Sequence, residues 1–223
     1  MFSVIFEVQP RPGRVDAYLA LARRLRPELE AIEGFIDNER FASQTRPGWW
    51  LSHSTWRDEK ALVRWRSHGE HHGVQSQGRA EVFSDYHLRV GAVIADTAPP
   101  PGSALSDARG EETAAPARFA SLTEFAFGDP GAPEQRHQAI AAWLASRPAA
   151  GRTAEPDVFE SSTTPGKMAL LAAWTGAADA RAAGSTRMAL AGSWRHRVVR
   201  VVRDYGMFDR GETPQFHPLV ARP

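Results

Sequence analysis

The chain has 223 residues, of which 42% are apolar and 24% are charged, so it can bury one large hydrophobic core or two small ones. Its 27 Lys and Arg residues nearly balance its 26 Asp and Glu residues, and the net charge of +1 excludes a global attraction to nucleic acid or to acidic lipid. The absence of cysteine excludes disulfides, thiolate metal sites, iron–sulfur clusters and a cysteine nucleophile.

The sequence contains no recognisable membrane or export segment. No run of about 18 apolar residues occurs, and residues 1–4 lack the basic region and the long apolar core of a signal peptide. We therefore expect a cytoplasmic protein with no membrane partner.

The first half of the chain predicts the order strand, helix, strand, strand, helix, strand. Alternating apolar residues predict the first strand at 2–9, and a helical period of apolar residues predicts a helix at 15–32. The remaining predicted elements are strands at 35–44 and 49–56 joined by a Pro47-Gly48 turn, a helix that begins at Asp58 and runs toward His72, and a strand at 86–94.

Residues 96–117 contain three consecutive prolines and almost no large apolar side chain. Such a segment cannot bury enough surface to fold by itself, so we predict a linker. As a flexible coil it would span roughly 25 Å, which is enough to place a second domain beside the first.

The second half repeats the pattern of the first. A Pro-Gly turn at 47–48 opens an apolar run that ends at Trp56, and a Pro-Gly turn at 165–166 opens another that ends at Trp174, about 118 residues later. The other predicted elements are strands at 118–127, 157–164, 167–174 and 194–204 and a helix at 133–146, with an Ala-rich segment in place of a full second helix.

A duplicated βαββαβ unit predicts an α+β fold of two ferredoxin-like domains. Each four-stranded sheet carries helices on one face and exposes the other, so we expect the two antiparallel sheets to pack face to face as an intrachain pseudo-dimeric barrel. The predicted boundaries are a domain at 1–95, the linker at 96–117, a degenerate second domain at 118–210 and a tail at 211–223, and a further homodimer is left open.

The first half resembles the antibiotic biosynthesis monooxygenase family of dimeric α+β barrels. The resemblance is carried by Glu33-Gly34-Phe35, Ser54-Thr55-Trp56, the helix from Ala61 to His68 that continues to His71 and Gln75, and the strand from Phe83 to Val90. It covers residues 2–95 well and residues 118–210 only by element order. The family includes cofactor-independent quinone-forming oxygenases and haem-degrading enzymes, so the resemblance implies the fold more sharply than the reaction.

The haem-degrading members imply a test of this sequence. They use an Asn on the first strand, a Trp on the second helix and a His about ten residues later, and the matching positions here are Glu7, Trp65 and Gln75. The two substitutions remove the axial haem ligand, although His71 or His72 could reach inward instead. Haem degradation is therefore disfavoured, and we expect no cofactor.

The cofactor-free members imply a different site. A phenol or anthrone that loses a proton becomes an electron-rich anion that reacts with dioxygen, so the protein needs an apolar slot, a base and donors for an oxyanion. The resemblance implies His71, His72, Trp65 and Glu7 as catalytic residues, with a small aromatic molecule and dioxygen as ligands. Aromatic walls and polar groups that contact the substrate are expected from Phe6, Phe41, Trp49, Trp56, His68, Gln75, Tyr86 and Arg89.

The same residues also have structural interpretations. The tryptophans can fill a small core. His68 and His72 would share a helix face as paired metal ligands do, but no third ligand stands nearby, so we predict no metal and favour a solvated helix end or a ligand-contacting histidine. A carboxylate at Glu7 is costly to bury unpaired, so it faces a polar cavity or pairs with an arginine, and Glu124 at the matching point favours pairing.

Two other segments are interpreted structurally. The arginine-rich run at 194–203 has charges on both strand faces and no interleaved stacking aromatics, so we predict a solvated edge or intersubunit ion pairs and not a nucleic-acid site. The aromatic segment at 204–218 is expected to pack back across the domain interface.

Two functional hypotheses follow. The first is an oxygenase with a pocket between the sheet and the helices of residues 1–95. The second is a non-catalytic ligand-binding or stress-associated barrel that sequesters an aromatic molecule. A cavity that holds Trp65, one of the three clustered histidines and Glu7 would favour the enzyme, whereas a filled core would favour the module.

Overall fold

A computed structural model describes residues 1–105, 112–127, 133–147, 149–189, 191–218 and 220. The strands are β1 (Phe2–Pro10), β2 (Phe35–Ser43), β3 (Trp50–Trp56), β4 (Phe83–Asp96), β5 (Phe119–Phe127), β6 (Asp157–Ser161), β7 (Lys167–Trp174) and β8 (Ala191–Gly206). The helices are α1 (Val15–Ala31), α2 (Glu59–Arg66), α3 (Gly69–Gln77), α4 (Pro133–Ala145) and α5 (Ala177–Ala183), and a five-residue π-helix (Gly78–Val82) joins α3 to β4.

The strands form one closed antiparallel barrel in the order β1-β3-β2-β6-β7-β5-β8-β4. Each half contributes four consecutive strands of this order, and the halves join where β2 pairs with β6 and β4 pairs with β8. Closure leaves no unpaired strand edge, which removes the sites at which sheets aggregate. The predicted α+β class and pseudo-dimeric barrel are confirmed.

The two halves are equivalent at the positions that revealed the repeat. Trp56 ends β3 opposite Phe2 of β1, and Trp174 ends β7 opposite Phe119 of β5. Both tryptophans are buried, and each donates a hydrogen bond from its indole nitrogen to a serine hydroxyl. The Ala-rich segment forms only the short helix α5, as the sequence predicts.

The second helix differs from its prediction, because the helix expected to run from Asp58 toward His72 is broken. Asp58 caps α2 by accepting a hydrogen bond from the amide of Ala61, but α2 ends at Arg66 and His68 adopts an extended conformation before α3 begins. Strands β4 and β8 are also longer than predicted, because they pair with each other along most of their lengths.

Alternation along β1 separates two environments. Ile5 joins the barrel-interior cluster that contains residues of both halves, whereas Phe2 packs in the cluster formed with α1, α2 and α3. Side chains at successive strand positions point to opposite faces, so each strand contributes to both regions. Within the described ranges, no helix has the length and apolar composition needed to cross a membrane.

Candidate functional site

A cavity of about 190 Å³ lies between the helix-facing side of the first-half strands and helices α1, α2 and α3. Strand β8 and the C-terminal segment 210–217 complete its wall, so the site is built from both ends of the chain. Most of its surface is apolar, with contributions from Val4, Phe6, Leu21, Leu25, Leu29, Leu62, Val74 and Leu88.

Local sequence periodicity explains why these side chains meet. Alternation on β1 directs Val4 and Phe6 toward the helices. Helix α1 buries residues spaced by four, three and four positions, which form one stripe along a helix: Tyr18, Ala22, Leu25 and Leu29. The result is an apolar chamber with a few inserted polar groups.

Among the described residues, two imidazoles line this chamber, those of His71 and His217, and His71 is the one supplied by helix α3. Its Nδ1 lies 3.1 Å from the main-chain carbonyl oxygen of Trp65, and its ring stacks on the Trp65 indole with centroids 4.2 Å apart. A carbonyl oxygen only accepts, so Nδ1 carries the proton and donates it, which leaves a lone pair on Nε2. Burial lowers the pKa of His71 to about 4, so the ring is neutral at pH 7.

Three polar groups of the lining are held without hydrogen-bond partners among the described residues. They are the Tyr18 hydroxyl, the Arg40 Nε and the Gln75 side-chain oxygen. Burial raises the pKa of Tyr18, so its hydroxyl keeps its proton and remains a donor. Buried polar groups in native proteins are normally paired, and unpaired ones concentrated in a cavity are those that a ligand would satisfy.

The charged groups of the lining are of one sign. Five arginines line the cavity (Arg40, Arg66, Arg79, Arg203 and Arg210), and no Asp or Glu is found in the lining as far as the chain is described. Arg79 and Arg210 both donate to the hydroxyl oxygen of Tyr86. Burial, with His72 and these two arginines, lowers the pKa of His217 to about 4.

The structure brings five of the predicted site residues together in the cavity wall: Phe6, Trp65, His71, Gln75 and Tyr86. Trp56 does not reach the cavity, because it is fully buried beneath Trp65. Trp49 lies elsewhere, stacked against the guanidinium of Arg46.

The other two clustered histidines lie outside the cavity lining. The ring of His72 stacks on His217 with centroids 4.9 Å apart, and His68 stacks on Trp65 and lies 3.6 Å from a carboxylate oxygen of Glu28. No group of three potential metal ligands is found within the described ranges.

Glu7, Arg89 and Phe41 belong to the other side of the sheet, which corrects the expectation that they line the pocket. Glu7 alternates with Phe6 on β1, so its side chain enters the barrel interior, where it bonds Arg46 and Arg89 at 2.5 Å each. Phe41 packs in the barrel-interior core. Of the two outcomes predicted for Glu7, arginine pairing is the one observed.

The prediction of a solvated edge or intersubunit ion pairs for the arginine-rich strand is also corrected. Arg197 is buried inside the barrel, where it bonds Glu124, and Arg195 pairs with Asp96 at 2.8 Å. These are ion pairs within one chain and not a solvated edge. Glu124 and Glu7 therefore hold equivalent paired positions in the two halves.

Sequence reasoning missed the polar groups that complete the cavity. Tyr18 and Arg40 stood in correctly predicted elements, but nothing in the sequence indicated that they share one chamber. Arg79 lies in a π-helix that apolar periodicity does not signal, and Arg210 and His217 come from a segment far away in sequence. The expected packing of this segment back across the domain interface was the available signal, and Gln215 does bond the carbonyl of Arg66.

Comparisons with known proteins agree with these features. A family model described as antibiotic biosynthesis monooxygenase matches residues 1–77. The chain is 40% identical over 233 residues to a Pyricularia oryzae protein named jasmonate monooxygenase ABM, with 98% of this chain and 99% of that protein covered.

Solved structures give weaker similarities. A structure described as an anthrone oxidase-like protein is 15% identical, with a TM-score of 0.38 and 92% of each chain covered. Protein SO0527 from Shewanella oneidensis is 17% identical, with a TM-score of 0.38, and the match covers 40% of this chain and 86% of that one.

Proposed function

Because the chain belongs to the antibiotic biosynthesis monooxygenase family and is a monooxygenase, we propose that it uses dioxygen without a cofactor to oxidise a small, largely apolar molecule with an acidic proton. An aromatic phenol or quinol is the substrate class proposed first. The observation that carries the proposal is His71, a neutral imidazole whose Nε2 accepts no hydrogen bond from the described residues and which lines an apolar cavity.

His71 is proposed as the base. Its Nε2 removes the acidic proton and becomes an imidazolium, while the substrate becomes a delocalised anion. The cost of charging a buried histidine is offset by the substrate anion beside it, because an opposite charge favours the protonated form. The carbonyl of Trp65 fixes the tautomer, and the stacked indole holds the ring plane. Trp65 is therefore a positioning residue in this proposal.

Tyr18 is proposed to stabilise the oxyanion. Its hydroxyl is buried and protonated, no hydrogen bond of full geometry from the described residues satisfies it, and Arg40 and Ser52 lie beside it. A donor that is already placed in a water-poor site stabilises developing charge without reorganisation.

The oxygen chemistry balances without an external reductant. The substrate anion passes one electron to dioxygen, and the resulting radicals combine to form a C–O bond and a peroxide anion, which takes the proton back from His71. Loss of water then converts the hydroperoxide, which forms at the ring C–H carbon of a phenol or at the CH₂ group of an anthrone, into a carbonyl. The substrate carbon supplies all four electrons, one oxygen atom enters the product and the other leaves as water.

The cationic lining favours a second substrate class. The Pyricularia oryzae relative, of which 99% is covered, is named for jasmonate, which is a cyclopentanone carboxylate, and a C–H bond next to a ketone can also lose a proton to a base. A jasmonate-like keto acid is therefore the second candidate substrate.

Dioxygen uptake tests the proposal. Purified protein, dialysed against a chelator and checked for the absence of flavin and haem absorbance, is given anthrones, dihydroquinones and jasmonate. We expect uptake by wild type with one of these substrates, and strong loss of rate in His71→Ala. His72→Ala is the matched control, because that ring lies outside the cavity lining. Uptake no faster than in protein-free buffer for every substrate would remove the proposal, as would dependence on a separable metal or cofactor.

A further inference from the structure

A buried arginine and a half-buried arginine meet at one neutral oxygen in the cavity wall. Arg79 and Arg210, which are 131 positions apart in the chain, both donate to the hydroxyl of Tyr86. Their remaining bonds also go to neutral acceptors, which are the carbonyls of Met207, Pro218 and Gln215 and the hydroxyl of Thr213.

No carboxylate of the described residues forms an ion pair with either arginine, and none lines the cavity. Arg79 is only 4% exposed, so water does little to solvate its charge. A buried charge without a counter-charge is costly, and two like charges that share one hydroxyl add mutual repulsion.

Two buried arginines elsewhere in this protein have carboxylate partners. In the barrel interior, Arg89 is bonded to Glu7 and Arg197 to Glu124. The fold therefore supplies a carboxylate to its buried guanidinium groups on the inner face of the sheet, but the described residues supply none to Arg79 and Arg210 in the cavity.

We propose that the missing carboxylate belongs to the substrate: the cavity binds a small monocarboxylate, with its anionic end between Arg79 and Arg210 and its hydrocarbon part along the apolar wall toward His71. Planar guanidinium groups match the geometry of a carboxylate, and two of them give a strong and orienting contact. The apolar wall formed by Phe6, Leu25 and Val74 suits the rest of such a molecule. This inference rests on the proposed function, because it names the class of substrate that the same cavity takes.

Binding of a matched pair of probes tests the inference without turnover. Isothermal titration calorimetry at pH 7.5 compares 1-naphthylacetate with 1-naphthylacetamide, which has nearly the same shape and no charge. Wild type is expected to bind the acid about tenfold to a hundredfold more tightly than the amide, the range expected for charge-assisted hydrogen bonds.

Arg210→Gln is the decisive variant, because Arg210 follows the last strand β8 and is not itself part of the barrel sheet. It is expected to abolish the preference for the acid while it leaves binding of the amide nearly unchanged. Arg79→Gln is expected to do the same, and thermal unfolding of both variants verifies that they are folded. Arg118→Gln is the matched control, because Arg118 is exposed, pairs with Glu112 and does not line the cavity. Arg210→Lys should restore part of the preference.

The outcomes separate this inference from the proposed function. Selective binding of the acid that is lost in folded Arg210→Gln supports the inference, even if no substrate produces dioxygen uptake. Equal affinity for acid and amide in wild type overturns it, even if a neutral quinol is oxidised. A preference that survives in both folded glutamine variants also overturns it, because the arginines would then serve only to anchor the C-terminal segment.

Discussion

Replacement of Glu7 by Gln tests which side of the sheet carries the chemistry. The Glu7 side chain is 5% exposed and bonds two arginines. After the replacement, Arg46 keeps Asp157, but Arg89, whose side chain is 8% exposed, keeps only a carboxylate oxygen of Asp204 at 4.0 Å. The variant leaves one buried guanidinium almost without a counter-charge.

Breaking a buried ion pair in this way costs about 3 to 5 kcal/mol. For a chain of this size, such a loss lowers the unfolding midpoint by about 10 °C. The turnover rate of the folded variant is expected to stay near that of wild type, because Glu7 points into the barrel and the cavity lies on the opposite face of β1.

Thermal unfolding, followed by tryptophan fluorescence, measures the midpoint, and equilibrium unfolding in urea measures the free energy of unfolding. Oxygen uptake well below the unfolding midpoint measures the rate. Glu33→Gln is the matched control, because the Glu33 carboxylate is largely exposed and its pairing with Arg57 is screened by water. A hundredfold loss of rate with an unchanged midpoint would refute the reasoning, since Glu7 would then act in catalysis.

Three further predictions follow from the same geometry. His71→Ala is expected to lower the turnover rate, measured as oxygen uptake, by a factor of about 10² to 10⁴, which is the range for loss of a general base. The control His72→Ala is expected to change the rate less than about threefold. Equal losses of rate in the two variants would contradict the assignment of His71 as the base. The pKa of His71 is lowered from 6.5 to about 4 in the folded state, so the unfolded chain binds the extra proton first as the pH falls. The neutral His71 side chain therefore contributes about 3 kcal/mol to the free energy of unfolding above pH 6.5, and this contribution is lost as the pH falls toward 4. Urea unfolding at pH 7 and 4.5 should therefore show a smaller acid loss in His71→Ala than in wild type, and equal losses would count against it. A Cβ added at Gly91 would lie 2.1 Å from the carbonyl oxygen of Arg200 where β4 pairs with β8, so Gly91→Ala should lower the unfolding midpoint. Gly73→Ala is the control and should not lower it, because nothing lies within 4 Å of the new Cβ. An unchanged midpoint in Gly91→Ala would mean that β4 and β8 pack less closely than described.

The two faces of the first-half sheet differ in role: the inner face carries ion pairs inside the barrel, and the outer face lines the cavity. The interior holds the paired acids Glu7 and Glu124 at equivalent positions, and Arg46, which pairs with Glu7, also pairs with Asp157 of the second half. The opposite face of the first-half strands is free to line a cavity. The predicted domain boundaries at 95 and 118 stay a prediction, since the strands of both halves form one barrel.

Sequence patterns were sufficient for the elements and for the duplication. Alternation along β1 and the matched turns that lead to Trp56 and Trp174 are local signals, because a strand or turn is specified by neighbouring residues. The resemblance carried by the second helix also placed Trp65 and His71 near a site. The predicted second helix was wrong at His68, where the chain is extended between α2 and α3, because local patterns specify element boundaries poorly.

The sequence by itself determined which residues alternate along each strand, and so that Phe6 and Glu7 lie on opposite faces. Only the tertiary structure decided which face became a cavity and which became the ionic interior, because that depends on the pairing of β2 with β6 and β4 with β8 across the two halves. It also decided that Arg79 and Arg210, 131 positions apart in the chain, share one hydroxyl. Contacts between residues so distant in sequence leave no periodic trace, because they are set by chain closure and packing of the whole barrel.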